Sequence, residues 1–394
     1  MPHAKETKTI RNELMKQTLI ILLQLTLIGQ TLFAQEKLPV IKANFDTVNI
    51  RDGKTLIVKA WTINPKIRPD IYTTSNKKVT FYTDLDSISF SIKPNKVYSF
   101  IILLNNDSAL TQIKYEYKAP LPTYLDILKK SKKYNYSDLR NIPPFEYQSA
   151  DNPNLVALKK AFKLDSIAGT GNEISKILNL LHWIHNLIPH DGEHENPEIK
   201  NAMSMINQCK KESRGLSCRG LAMVLNECYL SLGIKSRYIT CMPKDSVFSD
   251  CHVINMVFST EFKKWLWIDP TFNAYVMNGK GELLSIQEVR EKLISGQQLI
   301  INPDANWNNK RTIVKEDYLY NYMAKNLYRL ECPLTSEYNY ETFENHKTVT
   351  FIELLPLDAY NQTPQRSEKT FKVGTTFINY KTTNPNVFWT IPNK

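Results

Sequence analysis

Arg214-Gly215-Leu216-Ser217-Cys218-Arg219-Gly220 leads into Leu221, Val224, Leu225, Cys228 and Leu232, after which Gly233 closes the run. The apolar residues recur at helical spacing and the glycine suits a helix end. This predicts a helix from about Cys218 to Leu232 with a cysteine at its first position. A thiol there feels the positive end of the helix dipole, which stabilises its thiolate, the form that attacks. The first-turn N–H groups lack intrahelical acceptors, so they can also hold an oxyanion. A structural cysteine sits more naturally in mid-helix, as Cys228 does.

Downstream, Asp250-Cys251-His252-Val253-Ile254-Asn255 enters an apolar strand. A short polar turn, Glu261-Phe262-Lys263-Lys264, separates it from Trp265-Leu266-Trp267-Ile268-Asp269-Pro270-Thr271. The pattern is a hairpin with His252 at the start of one strand and Asp269 at the end of its partner. In an antiparallel pair those ends lie side by side. Asp269 can therefore accept a hydrogen bond from one ring nitrogen of His252, leaving the other for a thiol. Alone, His252 reads as a half-exposed strand residue and Asp269-Pro270 as a turn. In the order Cys, His, Asp across a helix and a hairpin they read as a triad.

The stretch from Cys218 to Pro270 resembles the core of the transglutaminase-like superfamily. The elements carrying the resemblance are the cysteine opening a helix, Leu232-Gly233-Ile234-Lys235-Ser236-Arg237, the strand led by His252, and Trp265-x-Trp267-x-Asp269-Pro270-Thr271. The match is dense over about 60 residues and loose over 150–300. It implies an α+β, papain-like fold, a helix bundle packed on an antiparallel sheet, of the exported bacterial type. It also implies roles: Cys218 as nucleophile, His252 as base and then acid, Asp269 as the group orienting it, and a thioester intermediate. Water as acceptor gives a peptidase or amidase; an amine gives a crosslink. The family also contains members that have lost activity and only bind. Members often carry His-x-Trp where this chain has His252-Val253-Ile254, which leaves one wall of the site unassigned. A second oxyanion donor is expected upstream of the cysteine. His190, Asn201 and Ser213 are candidates by position, and His190 is taken as a substrate-binding candidate.

Working outward, Ile174, Ile177, Leu178, Leu181, Ile184 and Leu187 mark a helix face that Pro189 ends. His182 and His185 lie on it and read as packing or surface residues. His190-Asp191-Gly192-Glu193-His194-Glu195 has the residue types of a zinc site. Flanked by Pro189 and Pro197, it reads instead as a solvated loop near the mouth of the site. No metal and no cofactor are expected, and no acidic loop has calcium-binding spacing. Residues 150–300 are thus read as the catalytic core.

Before it, residues 40–118 read as a β-sandwich: Val79–Tyr82, Ile88–Ile92 and Val97–Leu104 are strand-like, and Asp52-Gly53, Lys93-Pro94-Asn95 and Asn105-Asn106-Asp107 are turns. That region holds no Cys or His, which makes it an accessory or binding domain. A linker is expected near Lys118-Ala119-Pro120-Leu121-Pro122. Residues 310–394 mix a helix at Tyr318–Tyr328 with strands at Val349–Ile352 and Asn386–Thr390, and are expected to pack on the other domains.

At the N-terminus Lys16 precedes the apolar run Leu19–Ile28, and Thr31-Leu32-Phe33-Ala34-Gln35 follows. This is the order of a secretory signal. Cleavage is expected after Ala34, placing the protein in the periplasm or outside the cell. No later segment is apolar enough to span a bilayer. The formal charge of +11 falls to +9 once residues 1–34, with four basic and two acidic side chains, are removed. The basic residues are dispersed, as on a solvated surface, and no nucleic-acid-binding module is present. Of six cysteines none has CxxC spacing. Cys241 and Cys251 fall on neighbouring strands and are expected as a disulfide. The substrate class expected is a peptide, protein or cell-wall amide, with hydrolysis favoured over glutamine crosslinking and over a non-catalytic binding role.

Overall fold

A computed structural model describes residues 37–117, 122–244 and 250–392. The export signal expected over 1–34 lies outside the described residues, as does most of the linker. The fold is α+β, and the chain forms two compact units that part at residue 120.

Among its described residues the first unit is all β. Its strands are β1 (Val40–Ala43), β2 (Thr47–Asp52), β3 (Thr55–Thr62), β4 (Asp70–Thr74), β5 (Lys78–Tyr82), β6 (Ser87–Ser91), β7 (Val97–Leu104) and β8 (Asp107–Tyr115). They form two four-stranded sheets, ordered β1-β7-β8-β4 and β3-β2-β5-β6. Alternation puts Ile41, Phe100, Ile102 and Ile113 of one sheet and Val48, Ile50, Val79 and Phe81 of the other into a single apolar core. The tight β2–β3 turn needs Gly53, whose φ is +62°; a Cβ there would lie 2.8 Å from the Asn76 side chain.

After a short helix at Tyr124–Lys129, the second unit runs through five further helices: α1 (Pro153–Phe162), α2 (Leu164–Ala168), α3 (Glu173–Leu187), α4 (Ala202–Glu212) and α5 (Cys218–Ser231). A seven-stranded sheet follows. Its members are β9 (Ser236–Met242), β10 (His252–Ser259), β11 (Lys264–Ile268), β12 (Arg329–Pro333), β13 (Thr348–Leu354), β14 (Arg366–Thr370) and β15 (Thr376–Thr382). The order is β11-β10-β9-β12-β13-β15-β14, antiparallel throughout except for the β13–β15 pair. Residues 310–394, expected as an extension packed on the other domains, contribute four of these seven strands.

The central strands are buried on both faces, which is why their sequences run apolar without a break. Val253 and Val257 of β10 and Leu266 and Ile268 of β11 face the core made with α1–α5. Ile254, Met256, Trp265 and Trp267 face a second core, closed by Val289 and Leu293 of α6 (Ile286–Ser295) and by Tyr318 and Leu319. The helix expected at 318–328 is a widened π-helical stretch, Glu316–Met323, running into Ala324–Asn326. The strand expected at Asn386–Thr390 is instead a short helix, Pro385–Phe388. Asn384 caps it by accepting the Asn386 N–H at 3.0 Å, and Pro385 takes the first position, where its missing N–H costs nothing. No helix among the described residues is long and apolar enough to cross a membrane.

Candidate active site

Helix α5 starts at Cys218 because Ser217 caps it. Ser217 is extended (φ −65°, ψ 168°), and its Oγ accepts the Gly220 N–H at 3.5 Å. Asn196 holds the cap from outside: its Oδ1 accepts the Ser217 N–H at 3.0 Å and its Nδ2 donates to Ser217 Oγ at 2.7 Å. Just upstream the chain runs beside residues 189–191. His190 and Leu216 form a parallel bridge, with Leu216 N–H donating to Pro189 O at 3.1 Å and Asp191 N–H to Leu216 O at 2.8 Å. Gly215 permits this approach, since a Cβ there would lie 2.3 Å from Pro189 O and 2.7 Å from Asp191 Cβ. Gly215→Ala is therefore expected to cost about 1–3 kcal/mol of stability, as overpacking does. Urea unfolding measures this, and the same variant should alkylate more slowly at Cys218, because His190 and the cysteine loop must part.

The hairpin ends meet as its register requires. β10 pairs with β11 from Asn255↔Ile268 to Ser259↔Lys264, and the two chains continue to His252 and Asp269. His252 Nε2 lies 2.6 Å from Asp269 Oδ2, with His252 1% and Asp269 0% exposed. The carboxylate is satisfied on every side: Tyr318 Oη donates to Oδ2 at 2.5 Å and Thr271 N–H to Oδ1 at 2.9 Å. With Nε2 committed to Asp269, Nδ1 is the nitrogen left for the hydrogen bond between His252 and Cys218. The ring wall absent from the His252-Val253-Ile254 motif comes from elsewhere: the Phe272 and Tyr322 rings sit 5.4 and 5.3 Å from the imidazole, centroid to centroid.

His190 joins the same site: its bridge to Leu216 sets it beside the cysteine loop, and its ring is one of the groups that lower the Cys218 thiol. Asn308 clamps its backbone, Oδ1 accepting the His190 N–H at 2.7 Å and Nδ2 donating to its carbonyl at 2.9 Å. Trp307 Nε1–H donates to His190 Nδ1 at 3.3 Å. An indole can only donate, so Nδ1 must accept and the neutral ring carries its proton on Nε2. That nitrogen is the one free to reach sulfur. The other two positional candidates are elsewhere: Asn201 caps α4 through Ser204 N–H and accepts from Tyr338 Oη, and Ser213 is the exposed left-handed residue ending α4.

The α3 histidines do more than fill space. His185, buried, places Nδ1 3.0 Å from Pro270 O and Nε2 2.9 Å from Asn306 Oδ1. His182 Nδ1 lies 2.6 Å from Asn273 Oδ1. Both therefore pin the 269–273 turn that carries Asp269. Their helical spacing was visible in the sequence; a partner 85 or more residues away was not. Asp191, from the loop with zinc-like composition, binds the His194 ring at 2.7 Å and the Glu193 N–H at 3.0 Å.

Burial alone would raise the Cys218 thiol. Hydrogen bonds from His190 and His252, the His252 charge and the Val253 N–H outweigh it and bring the thiol down to about 6. Burial alone would lower His252; the Asp269 charge and hydrogen bond, followed by Cys218, raise it to about 10. The thiolate–imidazolium form thus dominates at neutral pH, and the two titrations belong to the pair. The other five cysteines all shift the opposite way, each chiefly by burial. The expected Cys241–Cys251 disulfide is not formed, and all six thiols are free. Cys241 is directly opposite His252 in the β9–β10 register, so Cys251, one residue earlier, alternates away from it.

No protein-family model matches this chain, nor does any curated protein. Among solved structures it is similar to a protein described as a candidate cysteine protease from Cytophaga hutchinsonii, at 22% identity over 41% of this chain and 49% of that one, with a TM-score of 0.25. A candidate protease from Parabacteroides distasonis is 12% identical over 50% of this chain and 37% of its own, with a TM-score of 0.20. Red sea bream transglutaminase is 11% identical over 60% of this chain and 49% of its own, with a TM-score of 0.20. The chain spans about half or less of the length of these structures, and overlaps this loose carry no argument about its activity.

Proposed function

We propose that this protein is an exported, cysteine-dependent acyl-transfer enzyme of transglutaminase-like, papain-like type that hydrolyses peptide or amide bonds. The observation that supports this best is the one lowered thiol, Cys218, half-buried at a helix N-terminus beside a buried imidazole that a fully buried carboxylate orients.

The Cys218 thiolate attacks the substrate carbonyl carbon, forming a C–S bond while the carbonyl π pair moves onto oxygen. That oxyanion is held by the Cys218 backbone N–H, in the first helical turn, and by His190 Nε2–H. His252 Nδ1–H gives its proton to the leaving nitrogen, the C–N bond breaks, and a thioester remains. Water then attacks as His252 Nδ1 takes its proton. Collapse releases the acid and restores the thiolate. Asp269 keeps its charge throughout and holds Nε2–H.

Iodoacetamide labelling of Cys218 against pH, read by peptide mapping, tests this. The thiol's acidity is depressed, so labelling should rise through a midpoint near 6 and be complete by neutrality. An ordinary thiol titrates near about 8.5. Turnover should follow the same acid limb and fall again near 10, where His252 loses the proton destined for the leaving group. A Cys218 that is inert, or that titrates as an ordinary thiol, would overturn the reading.

A further inference from the structure

A cavity of about 390 Å³ is lined by Phe272, Trp307, Ile313, Tyr318 and Tyr322, with Arg311, Val314 and Asp317 also bordering it. Its walls are the supports of the site itself. Phe272 and Tyr322 pack on the His252 ring, Tyr318 donates to Asp269, and Trp307 donates to His190. The cavity therefore shares its walls with the residues that support the imidazole, the carboxylate and His190.

The chemistry of the lining selects an occupant. The Tyr318 hydroxyl and the Trp307 N–H are already committed to Asp269 and His190, so these rings offer the cavity only their carbon faces. Ile313, Val314 and Phe272 add no polar group. Arg311 and Asp317, both exposed, bring one charge of each sign and so favour neither. Apart from the Tyr322 hydroxyl and the two exposed charges, the lining offers a polar side chain no partner for the water it would lose. A large apolar one would exchange water for aromatic and aliphatic contacts. Resting on the cysteine acyl-transfer reading above, we propose that this cavity is the specificity pocket of the enzyme and takes an aromatic or large aliphatic side chain flanking the reacting carbonyl.

Two irreversible probes test it on the full chain: N-acetyl-phenylalanyl and N-acetyl-glycyl chloromethyl ketone. Each is attacked by the Cys218 thiolate at the chloromethyl carbon, forming a C–S bond and expelling chloride. Rates are divided by the iodoacetamide rate of the same protein. The phenylalanyl probe should react about ten- to a hundredfold faster than the glycyl probe. Val314 is 52% exposed, so Val314→Glu places a charge at the pocket without disturbing the core, and the preference should shrink towards unity. Equal rates for the two probes at a Cys218 that iodoacetamide labels readily would overturn the pocket and leave the enzyme reading standing. A phenylalanyl preference untouched by Val314→Glu would place the side chain elsewhere and overturn it too. A Cys218 inert to all three reagents would overturn both.

Discussion

Asp269→Asn should lower turnover by about 10³- to 10⁴-fold while the fold persists, judging by the loss of an orienting carboxylate in a comparable triad. The reason is a tautomer. Asp269 Oδ2 now accepts from His252 Nε2 at 2.6 Å and from Tyr318 Oη at 2.5 Å. An asparagine that keeps its oxygen on the Thr271 N–H presents its NH₂ group to both. His252 must then accept at Nε2 and carry its proton on Nδ1 while neutral. In that form Nδ1 faces Cys218 as a donor and has no lone pair with which to take a proton. The imidazolium also loses the charge that does most to stabilise it against burial, so it sheds its proton at lower pH. Two readouts separate this from simple unfolding. Far-UV circular dichroism should be near that of the wild type, and the iodoacetamide midpoint of Cys218 should move up towards the ordinary thiol range. A variant with wild-type turnover would remove Asp269 from the mechanism.

His190→Ala should lower kcat by about 10²- to 10³-fold with little change in KM, the signature of losing one oxyanion donor. The bridge to Leu216 brings His190 beside the cysteine loop, its ring helps to lower the Cys218 thiol, and the Trp307 N–H on Nδ1 leaves Nε2 as the donor. His190→Gln retains an N–H at similar reach and should recover part of the loss. Removing His190 also takes away a hydrogen bond that stabilises the thiolate, so the acid limb should move to higher pH in both variants, more in alanine. Trp307→Phe provides the finer test. It keeps a ring against the pocket but frees His190 to adopt the other tautomer, so kcat should fall by less than in His190→Ala. Steady-state kinetics across pH with a fluorogenic amide measures all three. An unchanged kcat in His190→Ala would leave the oxyanion to backbone N–H groups alone.

Much of this site was legible in one dimension because its parts lie at the ends of regular elements. A cysteine at the head of a 3.6-residue apolar pattern lands at a helix N-terminus wherever that helix packs. A histidine and an aspartate flanking a short hairpin are brought together by β register, which depends only on the turn between them. The helix at Cys218–Ser231 and the strands at His252–Ser259 and Lys264–Ile268 therefore follow closely from local pattern.

What only the tertiary structure decided involves residues whose partners are distant in sequence. His190 was taken from three positional candidates on sequence alone. Its place at the site comes from the bridge to Leu216, the Asn308 clamp 118 residues away and the Trp307 indole 117 residues away. Nothing local distinguishes a loop histidine facing sulfur from one facing water. The same holds for Tyr318 and Tyr322, read only as part of a helix, whose π-helical stretch sets them against Asp269 and His252. The strands beyond residue 329 join the central sheet edge to edge with β9, a pairing across about 90 residues that no periodicity encodes. Local sequence determines which face of an element is apolar and where the element ends, because propensity and capping act over a few residues. Which element that face meets is decided by the packing of the whole unit, and here that packing supplied the aromatic wall against His252, the proposed oxyanion donor and the cavity that shares that wall.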